Sequence, residues 1–152
     1  MNTQNHYSHK LKAYQYHDLM PLYEEHATYM SNCINILLEK AKRQGTHLIL
    51  EGGFILPQIV GKNKDIVFYI QAIKNEDFFK ERIKSTLLST HLKRPISSDD
   101  IPNVIKINNY LINKAIENKV KVIYNDYCIE KTIETALDFL TEKIKKFIKE
   151  IN

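Results

Sequence analysis

The sequence predicts an α/β fold in which a parallel β-sheet is flanked by helices in three layers. Two observations lead to this prediction. Helical and strand-like patterns follow each other as helix, strand, helix, strand, two helices, strand and helix, and this alternation is typical of right-handed crossovers between parallel strands. The first strand-like run also ends in Glu51-Gly52-Gly53, and open α/β sheets bind ligands at the carboxyl ends of their strands.

Length and composition indicate a globular protein. The chain has 152 residues, of which 43% are hydrophobic and 26% charged, as in ordinary soluble domains. It shows neither a signal-peptide pattern nor an apolar stretch of membrane-spanning length, which predicts a cytoplasmic protein without a membrane partner. The net charge of +4 suits a small anionic metabolite or nucleotide, and it is too small to indicate nucleic-acid binding.

The chain divides into a short arm and one domain. Residues 1–17 are polar and aromatic and are predicted to form a flexible N-terminal arm, followed by an α/β domain over residues 18–152. A long helix opens this domain, with Asp18 as its predicted cap, Pro21 in its first turn and Gly45 as its stop. Apolar residues recur at helical spacing between these signals.

Residues 47–51 are predicted to form a buried parallel strand that ends at Glu51. Gly52 and Gly53 would allow positive φ angles and a close approach of the backbone to a ligand or another loop. A strand that ends in a plain turn, with Glu51 solvated, fits the same spacing.

Further along, hydrophobic periodicity and capping residues predict a short helix from Pro57, a strand at 65–71, a helix from Asn75, a helix from about 101, a strand at 119–125 and an amphipathic helix at about 129–151.

Three stretches occur in a characteristic order. The helix that ends at Gly45 leads into residues 47–57, where an apolar run ends in Glu-Gly and an apolar pair and proline follow. Residues 68–70 precede a predicted helix with Arg82 and then a basic segment, His91-Leu92-Lys93-Arg94-Pro95. Residues 112–125 are predicted to be a helix followed by a strand, which ends at Tyr124-Asn125-Asp126. In this order they resemble the distal half of a P-loop kinase of the 2-phosphoglycerate kinase type.

The resemblance implies a set of site residues. Glu51 would be a catalytic and metal-binding carboxylate, similar to that of a Walker B strand, which organises Mg²⁺ or orients the attacking hydroxyl. Lys93 and Arg94 would be catalytic cations of a lid. The implied cofactor-binding residues are Gly52, Gly53, His91, Arg82 and Asn125, and the implied cofactors are Mg²⁺ and ATP. Without the resemblance, residues 91–94 also fit a solvated basic loop, Arg82 fits a surface arginine, and Asn125 fits a plain turn.

One motif of such kinases is missing. The sequence contains no G-x-x-x-x-G-K-[ST], and its single Gly-Lys pair, Gly61-Lys62, is followed by Asn63. We therefore expect the first strand and phosphate loop of the fold to be missing, and the chain to be inactive alone. Mg²⁺ and ATP are expected only if a phosphate loop comes from elsewhere. The alternative is a non-catalytic module that binds a nucleotide, an anion or a protein.

The missing strand also predicts a partner. In P-loop kinases it lies between the strands that residues 47–51 and 65–71 resemble, so its absence would expose an apolar sheet edge. We expect a strand-donating partner or a homo-oligomer. Residues 10–17 alternate weakly and are a candidate donor, from the same chain or from a second copy.

Overall fold

The structure is a computed structural model that describes residues 19–60, 63, 66–88, 101–126 and 128–151. These residues contain five helices and two strands: α1 (Met20–Gln44), α2 (Pro57–Val60), β1 (Tyr69–Ala72), α3 (Glu76–Leu88), α4 (Ile101–Glu117), β2 (Lys121–Tyr124) and α5 (Ile129–Ile151). The α/β class and all five helices are confirmed. The predicted arm at residues 1–17 and the predicted lid residues lie outside the described ranges. Among the described residues, no helix combines the length and apolar character that crossing a membrane requires.

The chain forms two compact units, Met1–Ile55 and Leu56–Asn152. The described part of the first consists of α1 and the segment that follows it. Gly45 ends α1 in the left-handed conformation, at φ 61°, as the sequence predicts. Asp18, the predicted cap, lies outside the described residues, and within them Leu19 occupies the position before the first helical residue. Pro21 does lie in the first turn, where its missing N–H costs no hydrogen bond.

The predicted strand at residues 47–51 is not formed. These residues have no regular secondary structure, and Ile49 is 95% exposed. A strand is stabilised by hydrogen bonds and side-chain contacts to a neighbouring strand, and three apolar residues do not hold one in its absence. The prediction that the apolar run of residues 48–50 is buried in a strand is therefore wrong.

Within the described residues, the sheet of the second unit has two parallel strands, against the three predicted. β1 pairs with β2, with Tyr69 opposite Lys121 and Ala72 opposite Tyr124. Helix α4 packs on this pair through the fully buried Ala115, which joins Ile70 and Ala72 in a cluster. Partly buried apolar residues surround the cluster: Phe68, Leu111, Ile112, Val120 and Val122.

Both strands begin later than predicted. Lys119 ends the turn after α4 with a φ of 56°, a left-handed conformation that is not part of a strand. The N–H of Val120 then donates to the carbonyl of Ala115 at 2.8 Å, which satisfies one of the last carbonyls of α4. β2 therefore starts at Lys121, two residues after the predicted position.

Candidate functional site

Glu51 lies at the start of a turn that is attached to α1. The hydroxyl of Tyr23 donates a hydrogen bond to the carbonyl of Gly53. The ring of Phe54 contacts Tyr23, with centroids 5.5 Å apart, and His26, with centroids 4.4 Å apart in an edge arrangement. Tyr23 is buried, so the turn rests on a fixed part of the helix. Glu51 is exposed and directly precedes this anchored turn within the first unit.

The two glycines after Glu51 have ordinary backbone conformations. Among the described glycines, only Gly45 has a positive φ. A Cβ on Gly52 would lie 3.9 Å from Cγ1 of Ile55, and one on Gly53 would meet no atom within 4 Å. Gly52 and Gly53 thus do not use the positive φ that glycine allows. A side chain could therefore be accommodated at both positions.

The donors around Glu51 fit a magnesium ion only in part. Within the described ranges, no three His, Cys, Asp or Glu residues come together as a metal site. Mg²⁺ at nucleotide sites is commonly held by one or two carboxylates together with phosphate oxygens and water. A single exposed carboxylate is therefore compatible with a phosphate-bound magnesium and does not hold the ion by itself.

The carboxyl ends of β1 and β2 form a second polar group of residues, within the second unit. The N–H of Asn125 donates to the carbonyl of Ala72 at 2.8 Å and extends the pairing beyond β2. Asp126 then accepts from two backbone N–H groups that follow β1, those of Lys74 at 2.7 Å and Asn75 at 3.1 Å. Asn75 in turn caps α3, since its Oδ1 accepts from the N–H of Phe78 at 3.0 Å, as predicted.

Two of the predicted cofactor-binding residues meet at this edge. Nη1 of Arg82 donates to the backbone carbonyl of Asn125 at 3.2 Å, and the guanidinium lies over the ring of Phe78, 5.5 Å from its centroid. The buried side chain of Asn125 accepts from the hydroxyl of Thr132 at 3.1 Å. Both residues thus bond within the protein, and these bonds tie α3, β2 and α5 together.

Asn108 is a structural residue that the sequence analysis missed. Its Nδ2 donates to the carbonyl of Ile73 at 2.8 Å, and its Oδ1 accepts from the N–H of the same residue at 3.1 Å. The side chain thus satisfies the backbone of the residue that follows β1. The signal in the sequence is an asparagine at a position where the helical spacing of Ile105 and Ile112 on α4 calls for an apolar residue.

Replacement of Asp126 tests whether this edge is held by side-chain bonds. Asp126→Ala should lower the free energy of unfolding by about 2 kcal/mol, because two N–H groups lose a charged acceptor. Asp126→Asn keeps an acceptor oxygen and should cost less. Urea unfolding followed by circular dichroism measures both, with Asp138→Ala, at an exposed position on α5, as the control. If Asp126→Ala were as stable as this control, the bonds would not hold the edge.

The remaining predicted site residues, His91, Lys93 and Arg94, lie outside the described residues. Glu51, Gly52 and Gly53 belong to the first unit, whereas Arg82 and Asn125 belong to the second. The structure therefore brings together Glu51 with its turn, and separately Arg82 with Asn125.

Comparison with known proteins supports the kinase resemblance. The chain is 27% identical over 127 residues to a 2-phosphoglycerate kinase of Methanococcus maripaludis, covering 80% of this chain and 40% of that protein. It is 23% identical over 124 residues to that of Thermococcus kodakarensis, covering 82% and 42%. It is 28% identical over 120 residues to that of Pyrococcus horikoshii, covering 76% and 38%. The predicted resemblance to 2-phosphoglycerate kinases is confirmed.

The similarity has a defined extent. The chain spans about 40% of the length of the curated relatives it matches. No protein-family model matches the chain, and no solved structure matches it. The similarity thus identifies a kinase-like chain that corresponds to part of those enzymes.

Proposed function

We propose that this chain is the kinase-like part of an enzyme that transfers phosphate from ATP to a small hydroxy metabolite. The observation that carries the proposal is the similarity of 127 residues to a 2-phosphoglycerate kinase. Because the chain lacks the phosphate-binding motif, another segment or polypeptide has to supply it. Without that loop the backbone amides and lysine that stabilise the transferring phosphoryl group are missing, so the chain alone is inactive.

Glu51 is the proposed catalytic carboxylate. Its exposure and the anchored turn beside it support this role, because a catalytic carboxylate has to be accessible and held in place. When bound with ATP, magnesium would neutralise charge on the phosphoryl group. Glu51 would face that ion directly or through water, or it would orient the acceptor hydroxyl.

The other site residues have supporting roles in the proposal. Lys93 and Arg94 would place positive charge near the transferred group, and His91 would contact the nucleotide from the same lid. Arg82 and Asn125 would lie near the nucleotide at the carboxyl ends of the strands. Their internal bonds support a positioning role, in which they shape this edge.

A strand-donating partner completes the proposed fold. The exposure of Leu48 and Ile49 supports this, because an apolar run with no strand to pair with remains outside the core. The partner would carry the phosphate loop and the strand before it, and residues 47–51 would become a strand on pairing. The finished sheet, with helices on both faces, would then have the three layers that the sequence predicts.

Reconstitution tests this function. The chain is mixed with a polypeptide that contains the phosphate loop of a 2-phosphoglycerate kinase, and phosphate transfer from ATP is measured over a panel of hydroxy acids, with 2-phosphoglycerate first. Turnover by the mixture and none by either polypeptide alone is the expected result. Ile49→Asp should weaken the assembly, whereas Asn113→Asp, at an exposed position on α4, should not. Turnover by the chain alone would refute the requirement for a partner.

A second candidate is a non-catalytic module that binds a nucleotide, an anionic metabolite or a protein. The absent phosphate-binding motif favours it, as do the internal bonds of Asp126, Asn125 and Arg82. This module would bind ATP without turnover in the reconstituted mixture. Both candidates can bind ATP, so the transfer assay separates them, and isothermal titration with a non-hydrolysable ATP analogue then tests whether a mixture without turnover still binds the nucleotide.

A further inference from the structure

Helix α5 carries an exposed apolar stripe that the described part of the second unit does not cover. Its members lie four or seven residues apart, which places them on one side of the helix, and each is more than half exposed. They are Ile129, Ile133, Leu137, Ile144 and Ile148. A contiguous apolar surface of this kind commonly marks a site where another element docks.

Helices α4 and α5 lie on opposite faces of the two-stranded sheet. Successive side chains of a strand point to alternate faces. Ile70 of β1 packs on α4, whereas the ring of its neighbour Tyr69 meets Phe139 of α5, with centroids 6.1 Å apart. On the α5 face, Ile123 of β2 is buried, and Gln71, which lies opposite it on β1, is exposed. Helix α5 thus packs on β2 and leaves this face of β1 partly open.

The stripe points to one side of the residues that pack on the sheet. Helix α5 runs back from the carboxyl ends of the strands, where Thr132 bonds to Asn125, to their amino ends, where Phe139 meets Tyr69. Each stripe residue from Ile133 onwards directly follows a buried or half-buried residue. These preceding residues are Thr132, Ala136, Lys143 and Phe147. One residue advances the helix by about 100°, so the stripe lies about a quarter turn clockwise from the packed side, as seen from the start of α5.

The handedness of the fold fixes which side this is. Parallel strands that are joined through a helix form a right-handed crossover, so β2 lies to the right of β1 when the sheet is viewed from α4 with the strands pointing up. Viewed from α5, β1 lies to the right of β2, and α5 runs downwards. A quarter turn clockwise then points the stripe to the right, past β1. The outer edge of β1 lies on that side, and among the described residues β1 pairs with β2 alone.

We propose that the stripe binds the helix that follows the phosphate loop of the partner. The proposal rests on the proposed function and names the surface that the partner contacts. A phosphate loop joins a strand to a helix, so a partner that adds its strand at the free edge of β1 also brings a helix. Neighbouring helices pack about 8–10 Å apart, which equals two spacings between strands of about 4.8 Å each. A helix beside α5 therefore lies over the strand next to β1.

The lengths of the relatives allow for such a unit. The matched stretch covers 40% of the Methanococcus maripaludis protein, so that protein contains further chain outside the match. The stripe and the free edge of β1 would be covered together, because the strand and the helix of a phosphate loop are continuous.

Binding tests the stripe independently of catalysis. The phosphate-loop polypeptide of the reconstitution, including the helix after the loop, is titrated into this chain by isothermal titration. Leu137→Glu should weaken binding at least about tenfold, because it removes apolar contact and places a charge in the interface. Thr135→Glu introduces the same residue at an exposed position on the opposite side of α5 and should not change binding. Equal binding by both variants, or no binding by the native chain, would overturn the proposal.

Cross-linking identifies the occupant of the stripe. A photoreactive amino acid replaces Leu137 in one sample and Thr135 in another, and mass spectrometry maps the products that form in the mixture. Position 137 should react with the helix after the phosphate loop, and position 135 should not. Products at position 137 with a second copy of this chain, with residues 10–17 or with another part of the partner would refute the proposal.

Phosphate transfer, measured on the same mixtures, separates this inference from the proposed function. Transfer by the native mixture, together with equal binding by Leu137→Glu and Thr135→Glu, refutes the stripe contact alone. Binding that depends on Leu137, without any transfer, refutes the proposed function alone.

Discussion

Glu51→Gln should lower phosphate transfer by the reconstituted assembly at least about a hundredfold. The substitution keeps the shape of the side chain and removes its negative charge. If Glu51 faces phosphate-bound magnesium, the loss should shrink as the magnesium concentration rises; if it orients the acceptor hydroxyl, the loss should be the same at every concentration. Initial rates measured over a magnesium series distinguish these two roles.

The matched control is Glu24→Gln, which makes the same change at an exposed position on α1 in the same unit. Its rate should equal that of the unmodified assembly. Binding of the phosphate-loop polypeptide should be the same for both variants, because Glu51 is proposed to act in the transfer and not in the assembly. Full activity of Glu51→Gln would remove Glu51 from the mechanism.

Local signals explain why the helices could be predicted from the sequence. Gly45 ends α1 because a glycine adopts the left-handed conformation without a steric penalty. Asn75 begins α3 through a bond to a residue three positions away. Such signals act within a few residues, so the sequence contains nearly all the information that they need.

Strands and site residues depend on contacts between distant parts of the chain. Residues 47–51 have the apolar composition of a strand, but composition does not supply the neighbour that a strand requires. Arg82 and Asn125 are separate candidates in the sequence, and the bond from the guanidinium of Arg82 to the carbonyl of Asn125 appears only in the structure. The bonds from Asn108 to Ile73 and from Asp126 to the turn after β1 join residues more than thirty positions apart, and no local pattern predicts them.

Ile123→Ala should cause the largest loss of stability among the described core positions, about 3 kcal/mol of the free energy of unfolding. Ile123 lies within β2 and is 2% exposed, and it is one of the two largest fully buried side chains. Truncation would leave a cavity in a strand that already has a single partner.

The control is Ile116→Ala, the same chemical change on α4 at a side chain that is 64% exposed, and it should cost less than about 0.5 kcal/mol. Ile123→Val should fall between them, at about 1 kcal/mol. Urea unfolding of the three variants measures these differences, and equal losses at positions 123 and 116 would show that β2 is not part of the stable core.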